Sequence, residues 1–169
     1  MLIPYQQIVP EIHPSVYIAQ GAMIIGDVTI GEESSVWFNA VLRGDLDQIR
    51  VGARTNIQDG TIVHLDQGFP CIIGDDVTVG HGCIVHGCTV GDGAMLGMGA
   101  IVLTGAKIGE RAIVGAGALV REGQEIPPET VAVGIPAKVR RDVSDEDLER
   151  IRFGTLDYVT RGQIMKKNG

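Results

Sequence analysis

Residues 90–120, VGDGAMLGMGAIVLTGAKIGERAIVGAGALV, return an aliphatic side chain at every sixth position: Val90, Leu96, Val102, Ile108, Val114 and Val120. Four residues after each of the first five comes alanine, at Ala94, Ala100, Ala106, Ala112 and Ala118. A period of six matches neither the 3.6 of a helix nor the uninterrupted alternation of a long strand. It does match short strands joined by corners, each strand turning one large and one small side chain inward. This is the signature of a parallel β-helix, in which three strands close a triangular coil of about 18 residues.

The same two columns extend in both directions. Upstream, the large positions are Ile12, Ile18, Ile24, Ile30, Val36 and Leu42, then Val51, Ile57 and Val63, then Ile73, Val79 and Val85; downstream the series ends at Ile126. The small column runs through Ala22, Val28, Ser34, Ala40, Thr55, Thr61, Val77 and Cys83. About twenty rungs give about seven coils, so residues 1–142 are predicted to form a β-helix domain. The 24 glycines then punctuate corners; collagen would need them at every third position, and disorder would need fewer aliphatics. The segment from 143 to 169 changes character. Ser144 stands three residues before Asp147 as a capping box, and Leu148, Ile151, Thr155 and Val159 recur at helical spacing. An amphipathic C-terminal helix packed on the outside of the coils is predicted, with its acidic start and basic end suiting the helix dipole.

Composition narrows the function. The formal charge of −7, with no basic stripe, argues against a nucleic-acid surface. The opening MLIPYQQIVPEI lacks the layout of a secretion signal and no apolar run reaches membrane-spanning length, so the chain is read as soluble, cytoplasmic and without a membrane partner. Three cysteines, Cys71, Cys83 and Cys88, suit a reducing compartment better than a disulfide framework.

The chemistry is concentrated in the histidines. If every third rung shares a face, the rungs at Leu42, Val63 and Val85 stack, and the residues just after them, Arg43, His64 and His86, form one outward column. Strand spacing of roughly 4.8 Å lets two such imidazoles converge on a common ion. Insertions of three residues in RGDLDQIRV and four in HLDQGFPCI fall beside this column. His81 lies two positions after Val79, on the preceding face, which also carries Gln58 one coil earlier. Five residues therefore carry His81 and His86 to opposite sides of a corner, where they point apart within one chain. They could share an ion only if two copies packed corner to face.

RGD at 43–45, NIQDG at 56–60, His64, and GHGCIVHG at 80–87, set in the hexapeptide frame, resemble the γ-class carbonic anhydrases and their bacterial relatives. The resemblance covers nearly the whole chain. It implies left-handed coils and a homotrimer with zinc at each subunit interface, bound by His64 and His86 of one chain and His81 of the next. Three neutral imidazoles leave zinc an open position, and such a centre lowers the pKa of bound water from 15.7 to about 7. Hydroxide attack on carbon dioxide then yields bicarbonate. The family assigns Gln58 to hydrogen-bond hydroxide or product, while Arg43, Asp45 and Asp59 are expected to form ion pairs that support the interface and the ligands. The acidic loop of the founding archaeal enzyme is here the short HLDQGFP, and Leu46 follows RGD, which leaves Asp66 as the loop's one carboxylate and the candidate proton shuttle. Tyr158 matches a tyrosine near the site in the short-loop relatives.

Competing readings come from the same residues. His13 is read as a surface histidine, and Cys83, although between two proposed ligands, as core packing in the small column. GAGAL and similar segments lack the strand-to-helix transition of a phosphate loop. VGIPAKVRR, residues 133–141, resembles the coenzyme A-binding segment that closes the coils of hexapeptide acetyltransferases, which makes an acyltransferase the rival enzyme. Such an enzyme needs one histidine as general base, not three in this constellation. A metal-stabilised scaffold subunit is the third reading. Imidazole ligands suit zinc, iron and cobalt alike.

Overall fold

A computed structural model describes residues 1–168 of the chain. The six-residue period closes into a left-handed parallel β-helix of about seven turns with one C-terminal helix. On the first face, Ile62–His64, Ile84–His86, Ile101–Val102 and Leu119–Val120 stack in parallel below the first halves of Val41–Val51 and Met23–Ile30. The second face carries the later halves of those two long strands, followed by Cys71–Ile73, Thr89–Val90, Lys107–Ile108 and Glu125–Ile126. The third runs from Tyr17–Ile18 through Ser35–Val36, Asn56–Ile57, Thr78–Val79, Met95–Leu96 and Ile113–Val114 to Thr130–Val133. An antiparallel strand, Lys138–Asp142, closes that last edge and contains the final KVRR of the VGIPAKVRR segment.

Both inward columns are buried. Ile24, Leu42, Val63, Val85, Val102 and Val120 stack on the first face without solvent exposure. Only Ile12 and Ile18, in the first coil, are partly open, because fewer neighbours cover them. Where the small column is polar, its hydroxyls are spent on corner carbonyls of the next coil. Ser34 donates to Gly52 O at 2.7 Å, Thr55 to Gly74 O at 2.7 Å and Thr61 to Gly80 O at 3.0 Å. A buried donor so satisfied avoids its desolvation cost.

The two insertions leave the core intact. Val28 pairs with Ile49 although Gly26 pairs with Gly44, so Asp45, Leu46, Asp47 and Gln48 bulge out opposite Asp27. The second insertion is a tight turn closed by an antiparallel bridge between Asp66 and Phe69. Both bulges sit on the rim of the His64 and His86 column.

The helix Asp145–Asn168 returns along the third face from the last coil to the first. Ser144 caps it: its hydroxyl accepts from Asp147 N at 3.2 Å, and the Asp147 carboxylate accepts from Ser144 N at 3.0 Å. Ile151 packs against Ile113 and Val131, Thr155 lies 3.4 Å from the Thr78 hydroxyl, and Lys166 reaches the Val16 carbonyl at 3.2 Å. No helix among the described residues is long and apolar enough to cross a membrane. Gly169, the end of the expected helical segment, lies outside the described residues.

Candidate metal centre

The register places Arg43, His64 and His86 side by side, as Leu42 pairs with Val63 and His64 with His86. His64 Nδ1 and His86 Nε2 are 3.2 Å apart, and the rings meet edge to face with centroids 5.1 Å apart. The opposite nitrogen of each ring is already held. His64 Nε2 donates to Asp45 Oδ1 at 3.0 Å, and Arg43 pairs with the other Asp45 oxygen. His86 Nδ1 lies 2.9 Å from the Thr104 hydroxyl, which donates to Asp66 Oδ2 at 2.9 Å. Burial pushes the Asp45 carboxyl up, but the hydrogen bonds from His64 and Arg43 outweigh it and hold it below its ordinary value.

His81 belongs to a second group, at the corner after Thr78–Val79. Its Nδ1 lies 2.7 Å from Asp59 Oδ2. Gly82, at φ +66°, takes the chain round that corner in a left-handed conformation that suits glycine, and Ile84–His86 begins on the next face. Gln58 shares a cleft with His81. Its Nε2 donates to Asn56 Oδ1 at 2.9 Å, and Asn56 Nδ2 donates to Thr78 Oγ1 at 3.0 Å, so the carboxamide is fixed in orientation. Tyr158 reaches this side from the helix and packs edge-on against Trp37 at 5.2 Å; burial, then the nearby Asp59 charge, raises its phenol pKa.

The expected site residues thus fall into two clusters. Arg43, Asp45, His64, His86 and Asp66 stand on one face, and Gln58, Asp59, His81 and Tyr158 on another. Asp59 pairs within the chain with His81, and Arg43 with Asp45. Cys83 is fully buried in the inward core column, away from the outward histidines, with its thiol 3.2 Å from Gly97 O and its pKa pushed up by burial to about 11. His13 is a surface residue bonded to Ser15. Arg141 of the VGIPAKVRR segment is engaged with Asp147 at the helix cap.

Two partners were missed from sequence. Asn56 stands two residues before Gln58 and so on the same side of its strand, a signal that strand alternation offers. Thr104 has no such signal, since it reaches His86 across one coil.

The spacing of this histidine pair suits two ligands of a zinc-type ion. Zn–N bonds of about 2.0–2.1 Å at a tetrahedral angle put two ligand nitrogens about 3.3–3.4 Å apart, close to the 3.2 Å found between His64 and His86. Outward partners on both rings, a carboxylate on one and a hydroxyl on the other, are the usual support of metal-binding imidazoles.

The period, the triangular coils and the closing helix define a hexapeptide-repeat protein. Residues 10–44 and 87–122 match the family described as bacterial transferase hexapeptide (six repeats). A carbonic anhydrase of Geobacillus kaustophilus is 47% identical over 166 residues, covering 98% of this chain and 91% of that one. Gamma carbonic anhydrase 2, mitochondrial, of Arabidopsis thaliana is 44% identical over 161 residues, covering 92% of this chain and 58% of the plant protein. A solved Bacillus cereus structure, provisionally named an acetyltransferase, superposes with a TM-score of 0.98 at 46% identity, covering 99% of this chain and 98% of that one. The chain belongs to the γ-class carbonic anhydrase-like family of hexapeptide-repeat proteins.

Proposed function

We propose that this protein is a cytoplasmic, zinc-dependent γ-class carbonic anhydrase that interconverts carbon dioxide and bicarbonate at the interfaces of a homotrimer. One observation carries the reading: His64 and His86 converge at 3.2 Å with their far nitrogens held, while His81 is presented with Gln58 on another face. In this reading His64 and His86 of one subunit and His81 of the next hold the metal. An outward row of Val41, Ile62, Ile84, Ile101 and Leu119 runs beside the histidine column, and Ile62 and Ile84 are exposed, a suitable apolar floor for a subunit contact.

Bound zinc supplies the Lewis acidity that makes water a nucleophile near neutral pH. Asp45 holds His64 in the tautomer that leaves Nδ1 free to ligate. Gln58, with one amide hydrogen committed to Asn56, keeps its second N–H to donate to an oxygen of carbon dioxide or bicarbonate and its carbonyl to accept from the bicarbonate O–H. Hydration releases one proton for each bicarbonate formed. Asp66, exposed on the rim and linked to His86 through Thr104, is the carboxylate placed to pass it to solvent. Tyr158 lines the side from which His81 and Gln58 approach.

The acyltransferase reading keeps some support from the VGIPAKVRR segment and the name of the Bacillus cereus relative. Metal content and carbon dioxide hydration, measured on anaerobically and aerobically purified protein, separate the readings and tell zinc from iron or cobalt. Stoichiometric metal with hydration activity is expected. Metal without hydration favours a scaffold subunit, and acyl transfer from coenzyme A without metal favours the rival enzyme.

A further inference from the structure

We infer that Thr104 is a positioning residue, whose hydroxyl, held by Asp66, fixes His86 in the tautomer that turns the Nε2 lone pair toward His64. The inference rests on the metal-site reading above and assigns to that site a residue from a later coil. The argument is one of proton count. Thr104 Oγ1 is 2.9 Å from both His86 Nδ1 and Asp66 Oδ2. A hydroxyl has a single proton, and an ionised carboxylate can only accept. The hydroxyl proton therefore goes to Asp66, and the oxygen accepts from His86 Nδ1–H. A neutral imidazole with its proton on Nδ1 carries its lone pair on Nε2, the atom 3.2 Å from His64.

Asp66 cannot do this unaided. Its carboxylate is 3.9 Å from His86 Nδ1, beyond hydrogen-bond range. Thr104 spans the gap, 2.9 Å from each group. The two rings are thus oriented by different means, His64 directly by Asp45 and His86 through a hydroxyl bridge. Asp66 consequently has a holding role besides the proton-carrying one proposed above.

Thr104→Val keeps the shape and removes the hydroxyl; Thr104→Ser restores the hydroxyl on a smaller side chain. Zinc affinity, measured on the full-length protein against a competing chelator, should weaken about 10–100-fold in Thr104→Val and stay within about threefold of the parent in Thr104→Ser. Nitrogen chemical shifts of His86 in the metal-free protein should show the Nδ1–H form in the parent and in Thr104→Ser, and a mixture in Thr104→Val. Parent-like zinc affinity together with an unchanged His86 tautomer in a folded Thr104→Val protein would overturn the inference. If instead His86→Ala leaves zinc affinity unchanged, the metal-site reading fails, and the tautomer measurement still decides the role of Thr104.

Discussion

Two clusters on different faces of one chain make a quantitative prediction when two defective subunits are combined. His81→Ala keeps the His64 and His86 pair but loses the third ligand; His64→Ala keeps His81 but breaks the pair. None of these residues belongs to the buried columns, so both variants should retain the parent's far-ultraviolet spectrum and assembly. Each alone should bind almost no metal, since every interface lacks one ligand. In a cyclic trimer each subunit offers one face to its neighbour, and the contact is head to tail. A complete site forms wherever a His81→Ala subunit offers its pair to the corner of a His64→Ala subunit. Any trimer containing both variants has one such interface, so purified mixed trimers should recover about one third of the parent's metal. Random co-assembly from equal amounts, with homotrimers included, should recover about one quarter. Co-expression with two affinity tags, tandem purification, native mass spectrometry and metal analysis would test this. Ligands drawn from a single chain predict no recovery at any mixing ratio, because every subunit remains broken. Mixed trimers of verified composition that stay empty would refute the interface reading.

Further consequences follow from single positions. Gln58→Ala should leave metal content unchanged and lower hydration turnover about tenfold or more, the range expected when a hydrogen-bonding partner of the reacting groups is removed; an emptied site would mean that Gln58 supports the ligands instead. Leu96→Ala, in the centre of the fully buried large column, should cost about 2–5 kcal/mol of stability, read from chemical denaturation. Asp147 is held well below the ordinary carboxylate range, chiefly by Arg141 and then by the Ser144 N–H. A carboxyl depressed by folding contributes fully above its unfolded pKa of about 3.9, and the contribution is lost as pH falls through the lower folded value. The stability gap between the parent and Asp147→Asn should therefore be widest near neutrality and close progressively below about pH 4. Trp37 fluorescence, which senses the helix through Tyr158, can follow this; a gap that stays constant with pH would count against Asp147 as the cap's charged group.

The parts of this protein that can be read from sequence are those that repeat. An inward column must be apolar at every rung, so Val63, Val85 and Val102 announce both their burial and their register, and the pairing of His64 with His86 follows by counting. Faces are legible for the same reason, which is why a five-residue separation suffices to place His81 and His86 on opposite sides of a corner. Contacts made by the insertions are not periodic and escape the count. Asp45 reads as the partner of Arg43 two residues away, yet the three-residue bulge also swings it onto His64. Thr104 reads as a small polar corner residue, and only side-chain torsions across adjacent coils bring it between His86 and Asp66. Those unread contacts are the ones that orient imidazoles. A regular coil can bring two histidines within reach of one ion, but the direction of their lone pairs depends on irregular loops. Substitutions of the loop carboxylates Asp45 and Asp66 should therefore change metal affinity while leaving the solenoid's stability nearly unaltered. Substitutions in the repeating columns should do the reverse.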